Sequence, residues 1–162
     1  MISFKQYLSN FNKKYVCVEF TTDTNNRLRN YCLKNGFDLS VNYEGDKQDP
    51  KDYKFHTTIF FTTTKHDDKD EVIKLNKFEL IPTRLDLLGP DKDVPVLKLN
   101  MNDELNNLRE IFIKKGYRDS WDNYIPHISL SYNRQQYNLS NIELPTFPIV
   151  VNELKISSPK EQ

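Results

Sequence analysis

Two short stretches decide the fold of this chain, Phe55–Phe61 (FHTTIFF) and Pro126–Tyr132 (PHISLSY). Each contains a histidine, one spacer and a small hydroxyl residue, and together they hold two of the three histidines among 162 residues. Both stretches are rich in β-branched, aromatic and aliphatic residues, which favour strands. Because side chains alternate between the faces of a strand, each histidine is predicted to lie beside its hydroxyl residue on one face.

The opposite face of each predicted strand is apolar and therefore favours packing against the core. The residues expected there are Phe55, Ile59 and Phe61 in the first copy, and Ile128, Leu130 and Tyr132 in the second. The face that carries the histidine and the hydroxyl is expected to line a site.

A strand and a capped helix precede the first copy. Tyr15–Phe20 alternates as a strand, and Thr22 or Asp23 is predicted to cap the helix that follows. This helix carries Leu28, Tyr31 and Cys32 at helical spacing, and Asn35-Gly36 predicts its end. Residues 38–53 are polar and predict a loop.

The second copy is preceded by the same plan. Val94–Leu99 reads as a strand, and Asn102 is expected to cap a helix that closes at Gly116. The amphipathic face of this helix is predicted to comprise Leu105, Leu108, Ile111 and Phe112.

Three further segments complete the predicted elements. Val72–Leu88 has strand character, and Pro82 within it suggests an edge, a bulge or a break before the turn at Gly89–Asp91. Ile149–Ile156 reads as a final strand, in which strict alternation groups Glu153 with Ile149, Val151 and Lys155. Glu153 is a candidate to project toward the site.

The repeated plan predicts one α+β domain over residues 1–162, with two pseudo-symmetric strand–helix–strand lobes around a central cleft. A pseudo-two-fold axis between the lobes would make the two histidine pairs face each other across this cleft.

Composition narrows the classes of partner. The 23 basic and 23 acidic residues balance, so no long nucleic acid is expected, whereas a small anionic ligand in a local basic cleft stays open. No apolar run approaches the roughly 18 residues that span a bilayer, and no signal-peptide core is present. We therefore expect a soluble cytoplasmic protein without membrane contact; its oligomeric state is not predicted.

Several residues invite a chemical role but favour a structural one. Cys17 and Cys32 are expected to be buried, reduced thiols. His66–Glu71 combines a histidine with carboxylates, yet its interleaved charges favour a solvated turn over a metal site. We expect no metal and no cofactor. Trp121 would suit either base stacking or packing, and Tyr15 either the rim or a contact with phosphate.

Two histidines with neighbouring hydroxyls suit in-line displacement at a phosphodiester. With an ordinary imidazole pKa near 6.5, one ring can accept a proton while the other donates one. Thr58 and Ser129 can donate hydrogen bonds to the nonbridging oxygens. The candidate catalytic residues are therefore His56, Thr58, His127 and Ser129, and the sequence leaves open which histidine is the base.

The paired motifs resemble those of the 2H phosphoesterase superfamily, which is named for two such motifs in a bilobal α+β fold. Within it, the Tyr-Val-x-Val run from Tyr15, the Tyr-x-Pro-His-Ile-Ser-Leu run around His127 and the Asn-Glu-Leu at Glu153 are similar to the phage anti-CBASS cyclic-nucleotide phosphodiesterases. CBASS is a form of bacterial anti-phage immunity with cyclic oligonucleotide messengers.

The resemblance implies metal-independent cleavage of 3′–5′ bonds in cyclic di- or oligonucleotides such as 3′,3′-cGAMP, in the cytoplasm of the host cell. It assigns the acid and base to the histidines and makes Tyr15 and Glu153 assisting, substrate-binding residues. Ser129 departs from the commoner Thr but keeps the hydroxyl. The alternatives are an RNA 2′,3′-cyclic phosphate phosphodiesterase, a non-catalytic module that sequesters cyclic nucleotides, and a structural protein with this fold.

Overall fold

The computed structural model describes residues 14–62, 68–119 and 123–158. Its elements in chain order are β1 (Lys14–Phe20), α1 (Thr22–Lys34), a 3₁₀ turn (Pro50–Asp52), β2 (His56–Thr62), β3 (Glu71–Leu80), β4 (Pro82–Leu88), β5 (Val94–Leu99), α2 (Asp103–Lys114), β6 (His127–Ser129) and β7 (Ile149–Ser157). The two predicted units are present as β1–α1–β2 and β5–α2–β6.

Within the described ranges, seven strands form one antiparallel sheet in the order β3-β7-β1-β2-β6-β5-β4. The two histidine strands are neighbours at its centre, where Thr57 of β2 pairs with Ile128 of β6. The mixed α and β composition is confirmed. The finer division into two lobes stays a prediction, because the sheet runs through both units without a break.

The helix ends follow local capping chemistry. Thr21, rather than the predicted Thr22 or Asp23, caps α1, because its backbone is still extended and its side chain accepts the Thr24 N–H at 3.2 Å. At the other end, Gly36 has a φ of +80°, the left-handed conformation that glycine adopts readily. The predicted start of the second helix is confirmed, since Asn102 caps α2.

One core cluster contains side chains from both helices and from the sheet. Leu28 and Cys32 of α1 and Leu105 and Phe112 of α2 are buried in it. The prediction for Ile111 is wrong, because its side chain lies on the outer face of α2 and is exposed. Burying these apolar faces against the sheet stabilises the fold by about 25 cal/mol per Å² of apolar area.

A β-bulge in β2 corrects the predicted inner face of the first motif. β1 pairs Val16 with Phe60 but Cys17 with Thr58, so Ile59 is an extra residue in the ladder. Beyond the bulge the alternation therefore inverts: Phe60 is buried in the core, and Phe61 lies on the other face. The assignment of Phe61 to the core was wrong for this reason.

A second bulge corrects the alternation of β7. Glu19 pairs with Glu153 and the next residue, Phe20, pairs with Val151, which leaves Asn152 as the extra residue. Val151 consequently lies in the core, whereas Glu153 lies on the opposite face of the sheet. The predicted grouping of Glu153 with Ile149 and Val151 is therefore wrong.

The second motif forms a shorter strand than its sequence predicts, since β6 covers only His127–Ser129. Ile128 and Leu130 are buried in the core as expected. Tyr132 lies beyond β6 and is only partly buried against the core, where its ring meets those of Tyr43 and Tyr53.

Other predictions have mixed outcomes. Pro82 begins the edge strand β4, and Cys17 and Cys32 are buried free cysteines, as expected. In the segment from His66, the described Asp68 is bound by Lys115 and Tyr117 instead of lying in a solvated turn. His66, Asp67 and Trp121 lie outside the described residues. No helix among the described residues is long and apolar enough to cross a membrane.

Candidate active site

One face of the sheet gathers the candidate residues from three neighbouring strands. Opposite residues of an antiparallel pair share a face, so the core pair Thr57–Ile128 puts the flanking residues of both motifs on the other face, which we call the site face. His56 and Thr58 therefore share this face with His127 and Ser129. The ladder also places Glu19 opposite His56 and Cys17 opposite Thr58 on β1.

Tyr15 of β1 joins the two polar groups of the first motif. Its hydroxyl lies 3.0 Å from Nε2 of His56 and is hydrogen-bonded to Oγ1 of Thr58. Its ring makes edge contacts with His56 (6.0 Å) and Phe61 (5.8 Å). The bulge accommodates Ile59 while Phe61 pairs with Tyr15 on the site face.

Burial keeps His56 neutral near pH 7. It lowers the pKa of His56 to about 4, against a smaller opposing effect of hydrogen bonding to the Lys54 backbone. The charge of His127 also lowers the pKa of His56, because the two motifs lie on adjacent strands. The same burial raises the pKa of the Tyr15 hydroxyl far above its usual value, so this hydroxyl keeps its proton.

These protonation states define the direction of the hydrogen bonds. With His56 neutral and its Nε2 an acceptor, the Tyr15 hydroxyl donates to Nε2 and accepts from Thr58 Oγ1–H. A substrate hydroxyl that transfers its proton to His56 must displace the Tyr15 hydroxyl from Nε2 or pass the proton through it.

His127 is fixed by its own chain. Its Nδ1 donates to the backbone carbonyl of Ile125 at 3.0 Å, so Nε2 is the ring nitrogen left for contact with a ligand. His56 has its backbone hydrogen bond with Lys54, also two residues earlier. Both rings are thus oriented by the residue at position −2.

Lys98 of β5 brings a positive charge to the second motif. It pairs directly with His127 in the ladder, and its ammonium lies 2.8 Å from Asp86 of β4. Its side chain is only 12% exposed. Sequence reasoning missed this residue, although it is the one charged residue in the apolar strand Val94–Leu99.

A cavity of about 200 Å³ lies between the two motifs, with Thr58, Lys98 and His127 in its wall. The rest of the wall is formed by Leu88, Asn123, Tyr124 and Ile125. The cavity therefore brings a hydroxyl, a cation and an imidazole together, which is the donor set that suits an anionic phosphate group.

Two tyrosines join the motifs reciprocally. Tyr53 lies three residues before His56, and its hydroxyl donates to the backbone carbonyl of Ser129 at 2.8 Å. Tyr124 lies three residues before His127, and its hydroxyl donates to the backbone carbonyl of Thr58 at 2.6 Å. The repeated motif is thus Tyr-x-x-His-x-Thr/Ser, and the shared tyrosine at position −3 is a sequence signal for this pair of contacts.

Arg109 of α2 supports the first motif from the core side. It donates to the carbonyl of the bulged Ile59 at 2.9 Å and forms an ion pair with Asp119. Its guanidinium lies 4.4 Å from the ring centre of Phe60 and 3.9 Å from that of Tyr124. One helical side chain therefore holds both the bulge and the tyrosine that contacts Thr58.

Glu153 lies farther from the histidines than the other candidates. It shares the site face, but Glu19 stands between it and His56 in the ladder. Its carboxylate lies 3.4 Å from the ammonium of Lys74 on β3. The structure thus brings Tyr15, His56 and Thr58 into direct contact, places His127 and Ser129 on the adjacent strand, and leaves Glu153 two strands away.

Comparison with known proteins gives one family. The family model described as "Anti-CBASS protein Acb1" matches residues 12–159. A search of curated proteins gives no match.

Proposed function

The chain belongs to the Acb1 family of anti-CBASS proteins, and on this premise we propose that it counters CBASS by cleaving cyclic oligonucleotide messengers. The proposed activity is a metal-independent phosphodiesterase that acts on 3′–5′ bonds of cyclic di- or oligonucleotides such as 3′,3′-cGAMP. The proposed catalytic residues are His56, Thr58, His127 and Ser129, with Tyr15 and Glu153 binding substrate. The resemblance of the motifs to those of the anti-CBASS cyclic-nucleotide phosphodiesterases implies this activity and these residue roles.

The observation that carries the proposal is the pair of imidazoles on adjacent central strands with different environments. His56 is neutral and hydrogen-bonded to a protonated tyrosine, which suits a proton acceptor. His127 lies beside Lys98 at the cavity. We assign the base to His56 and the acid to His127.

In the first step, His56 removes the proton from the ribose 2′-hydroxyl, whose oxygen attacks the adjacent phosphorus. The bond from phosphorus to the 5′-oxygen breaks, and His127 donates its proton to that leaving oxygen. The products are a 5′-hydroxyl and a 2′,3′-cyclic phosphate. Each proton transfer contributes about 10² to 10⁴ in rate.

In the second step, the roles reverse. His127 takes a proton from water, the water oxygen attacks the cyclic phosphate, and His56 returns its proton to the departing ribose oxygen. Hydrogen bonds from Thr58 and Ser129, together with the charge of Lys98, stabilise the nonbridging oxygens in both steps. Between turnovers, the hydrogen bonds of Tyr15 hold the side chains of His56 and Thr58 in position.

The first test is incubation of the purified protein with 3′,3′-cGAMP in excess EDTA, with product separation by chromatography. The His56→Ala/His127→Ala protein and an RNA that ends in a 2′,3′-cyclic phosphate are run in parallel. His66→Ala is the matched control, because this third histidine lies outside both motifs. We expect linear dinucleotide from the wild type and the control, and none from the double variant.

Each other result points to a different reading. An intact cyclic dinucleotide with an opened RNA end would favour RNA processing, and binding of 3′,3′-cGAMP without turnover would favour a sequestering module. If the protein neither binds nor cleaves either substrate, the result would favour a structural protein. Cleavage of a 2′-deoxy analogue at the full rate would show that water, and not the 2′-hydroxyl, is the attacking group.

A further inference from the structure

We propose that Tyr43 is a stacking platform for one nucleobase of the ligand, an inference that rests on the proposed function and adds the base subsite. Tyr43 lies in the loop between α1 and β2, and 77% of its surface is exposed. Scattered exposed aromatic residues are common on proteins. This one differs because it is held rigidly and because a series of contacts links it to the second motif.

The turn that carries Tyr43 is closed by hydrogen bonds on both sides of the ring. The side chain of Asn42 accepts from the backbone N–H groups of Glu44 (3.0 Å) and Asp46 (2.9 Å). The Asn42 N–H donates to the Asp46 carbonyl at 2.8 Å, and Val41 forms a β-bridge with Lys47. An aromatic ring on such a fixed turn loses little conformational freedom when a ligand binds.

The base of the same loop is attached to the chain that follows β6. The hydroxyl of Ser131 donates to the carbonyl of Asp38, and the amide of Asn133 donates to the Asp38 carboxylate at 2.6 Å. The loop therefore keeps a fixed position relative to Ser129, two residues before Ser131.

A series of aromatic contacts leads from Tyr43 to the second motif. Its ring meets Tyr132 edge-on, with centres 5.6 Å apart, and Tyr132 stacks on Tyr53 at 5.5 Å. Tyr53 donates to the backbone carbonyl of Ser129, and Tyr132 has a side-chain hydrogen bond with Ser129. The exposed ring is thus one aromatic residue away from the hydroxyl proposed to bind phosphate.

Tyr43 also lies near Tyr15, the residue that contacts the first motif. The tyrosines Tyr43 and Tyr132 both add to the raised pKa of Tyr15, for which burial is the main cause. Through Tyr132, Tyr43 therefore lies near Ser129 as well as near Tyr15, and we infer that a phosphate held by both motifs would carry a nucleoside toward this ring.

This geometry predicts that Tyr43 binds the flat face of a nucleobase without discriminating between different bases. Stacking of a base on an aromatic side chain contributes about 1 to 3 kcal/mol and tolerates sequence, because every base has a π-face. We expect Tyr43 to strengthen the binding of guanine- and adenine-containing cyclic dinucleotides to a similar degree.

The test measures ligand affinity in the His56→Ala/His127→Ala background, so that turnover does not interfere. Calorimetry compares Tyr43→Ala and Tyr43→Phe with an Ile111→Ala control, since Ile111 is an exposed apolar residue on α2. The ligands are 3′,3′-cGAMP and an analogue in which both bases are replaced by hydrogen. Turnover by Tyr43→Ala and wild type is measured separately with intact histidines.

The expected result is a loss of affinity for 3′,3′-cGAMP of about 5- to 150-fold in Tyr43→Ala. Tyr43→Phe and Ile111→Ala should bind as the parent does, and the base-free analogue should bind Tyr43→Ala and parent equally. Equal affinity of parent and Tyr43→Ala for 3′,3′-cGAMP would overturn the platform while leaving catalysis intact. Binding that depends on Tyr43 without turnover by the wild type would retain the platform and remove the proposed phosphodiesterase; no binding at all would overturn both.

Discussion

The two motifs share a backbone plan but differ in what stands beside them. In the first, β1 supplies Glu19 opposite His56 and Cys17 opposite Thr58. In the second, β5 supplies Lys98 opposite His127 and Val96 opposite Ser129. The comparison shows that two units with the same order of elements carry an asymmetric candidate site, because residues on the flanking strands give each histidine a different environment.

The motifs also differ in how firmly the histidine is enclosed. Tyr15 contacts both polar groups of the first motif, whereas the corresponding position on β5 is Val94, which has no polar group to offer. β6 is three residues long and β2 is seven. The first motif is therefore built as a pre-arranged hydrogen-bonded cluster, and the second leaves more room for a ligand.

The largest expected effect comes from removing either imidazole. His56→Gln and His127→Gln should each lower kcat for 3′,3′-cGAMP by about 10² to 10⁴, because each removes one proton transfer. If the histidines act as a pair, the double variant should be little worse than either single one. Activity assays of all three proteins check this, and a loss confined to one histidine would break the proposed division into acid and base.

A smaller loss is expected from the hydroxyl residues. Thr58→Val and Ser129→Ala each remove a hydrogen bond to the nonbridging oxygens and should lower kcat by about 10²-fold. Thr58→Ser and Ser129→Thr keep the hydroxyl and are the matched controls. An unchanged kcat in Thr58→Val would show that its hydroxyl serves only Tyr15.

The buried environment of His56 should also be visible in stability. Its pKa is about 4 in the folded protein and about 6.5 in an unfolded chain, so between these values the unfolded chain binds more protons. The free energy of unfolding should therefore fall as the pH drops through this window, by at most about 3 kcal/mol from this group. Its contribution should be constant above about pH 6.5 and below about pH 4.

Urea unfolding of wild type and His56→Gln at a series of pH values isolates this contribution, because every other titrating group is common to both proteins. The difference between the two free energies should change between about pH 6.5 and 4. A difference that stays constant across this window would mean that burial does not depress the pKa of His56.

The smallest effects are expected from the reciprocal tyrosines. Tyr53→Phe and Tyr124→Phe each remove one hydrogen bond and should reduce the free energy of unfolding by about 1 kcal/mol. Since each tyrosine fixes the opposite motif, the pair should couple in a double-mutant cycle by about 0.5 kcal/mol or more. Additive losses would show that the two halves are positioned independently.

The strands and helices could be predicted from the sequence because their patterns lie within short segments of the chain. Alternation predicted β1 and β5, and Asn35-Gly36 and Asn102 marked helix ends through the chemistry of caps. The N-cap of α1 was misplaced by one residue because two adjacent threonines, Thr21 and Thr22, offer similar capping hydroxyls.

The sheet face of two residues was predicted wrongly, because the strand ladder there departs from strict alternation. Phe61 and Glu153 were both grouped with core residues, and in each case an extra residue in the strand inverts the pattern. A bulge is set by pairing with a distant strand, so a period of two within one segment does not contain it.

The sequence identified the two motifs as candidates but not the side chains that surround them. The spacing within each motif was enough to nominate His56 and His127, because the repeat is unusual in a chain with three histidines. Lys98 and Tyr43 come near the motifs through strand pairing and loop position, which the sequence order does not give. Tyr53 and Tyr124 repeat at position −3, but only the structure shows that each contacts the other motif.

The extra residue in β2, Ile59, also determines where this strand could lose a residue without losing its pairing with β1. On either side of Ile59, each residue keeps its own partner on β1, so a chain that lacked Ile59 would have an uninterrupted ladder with Phe60 still inward and Phe61 still outward. Such a deletion would cost the buried Ile59 side chain and the carbonyl that Arg109 binds. A deletion at Thr57 or Thr58 would instead displace His56 relative to Tyr15, so an alignment gap in this strand is best tolerated at Ile59.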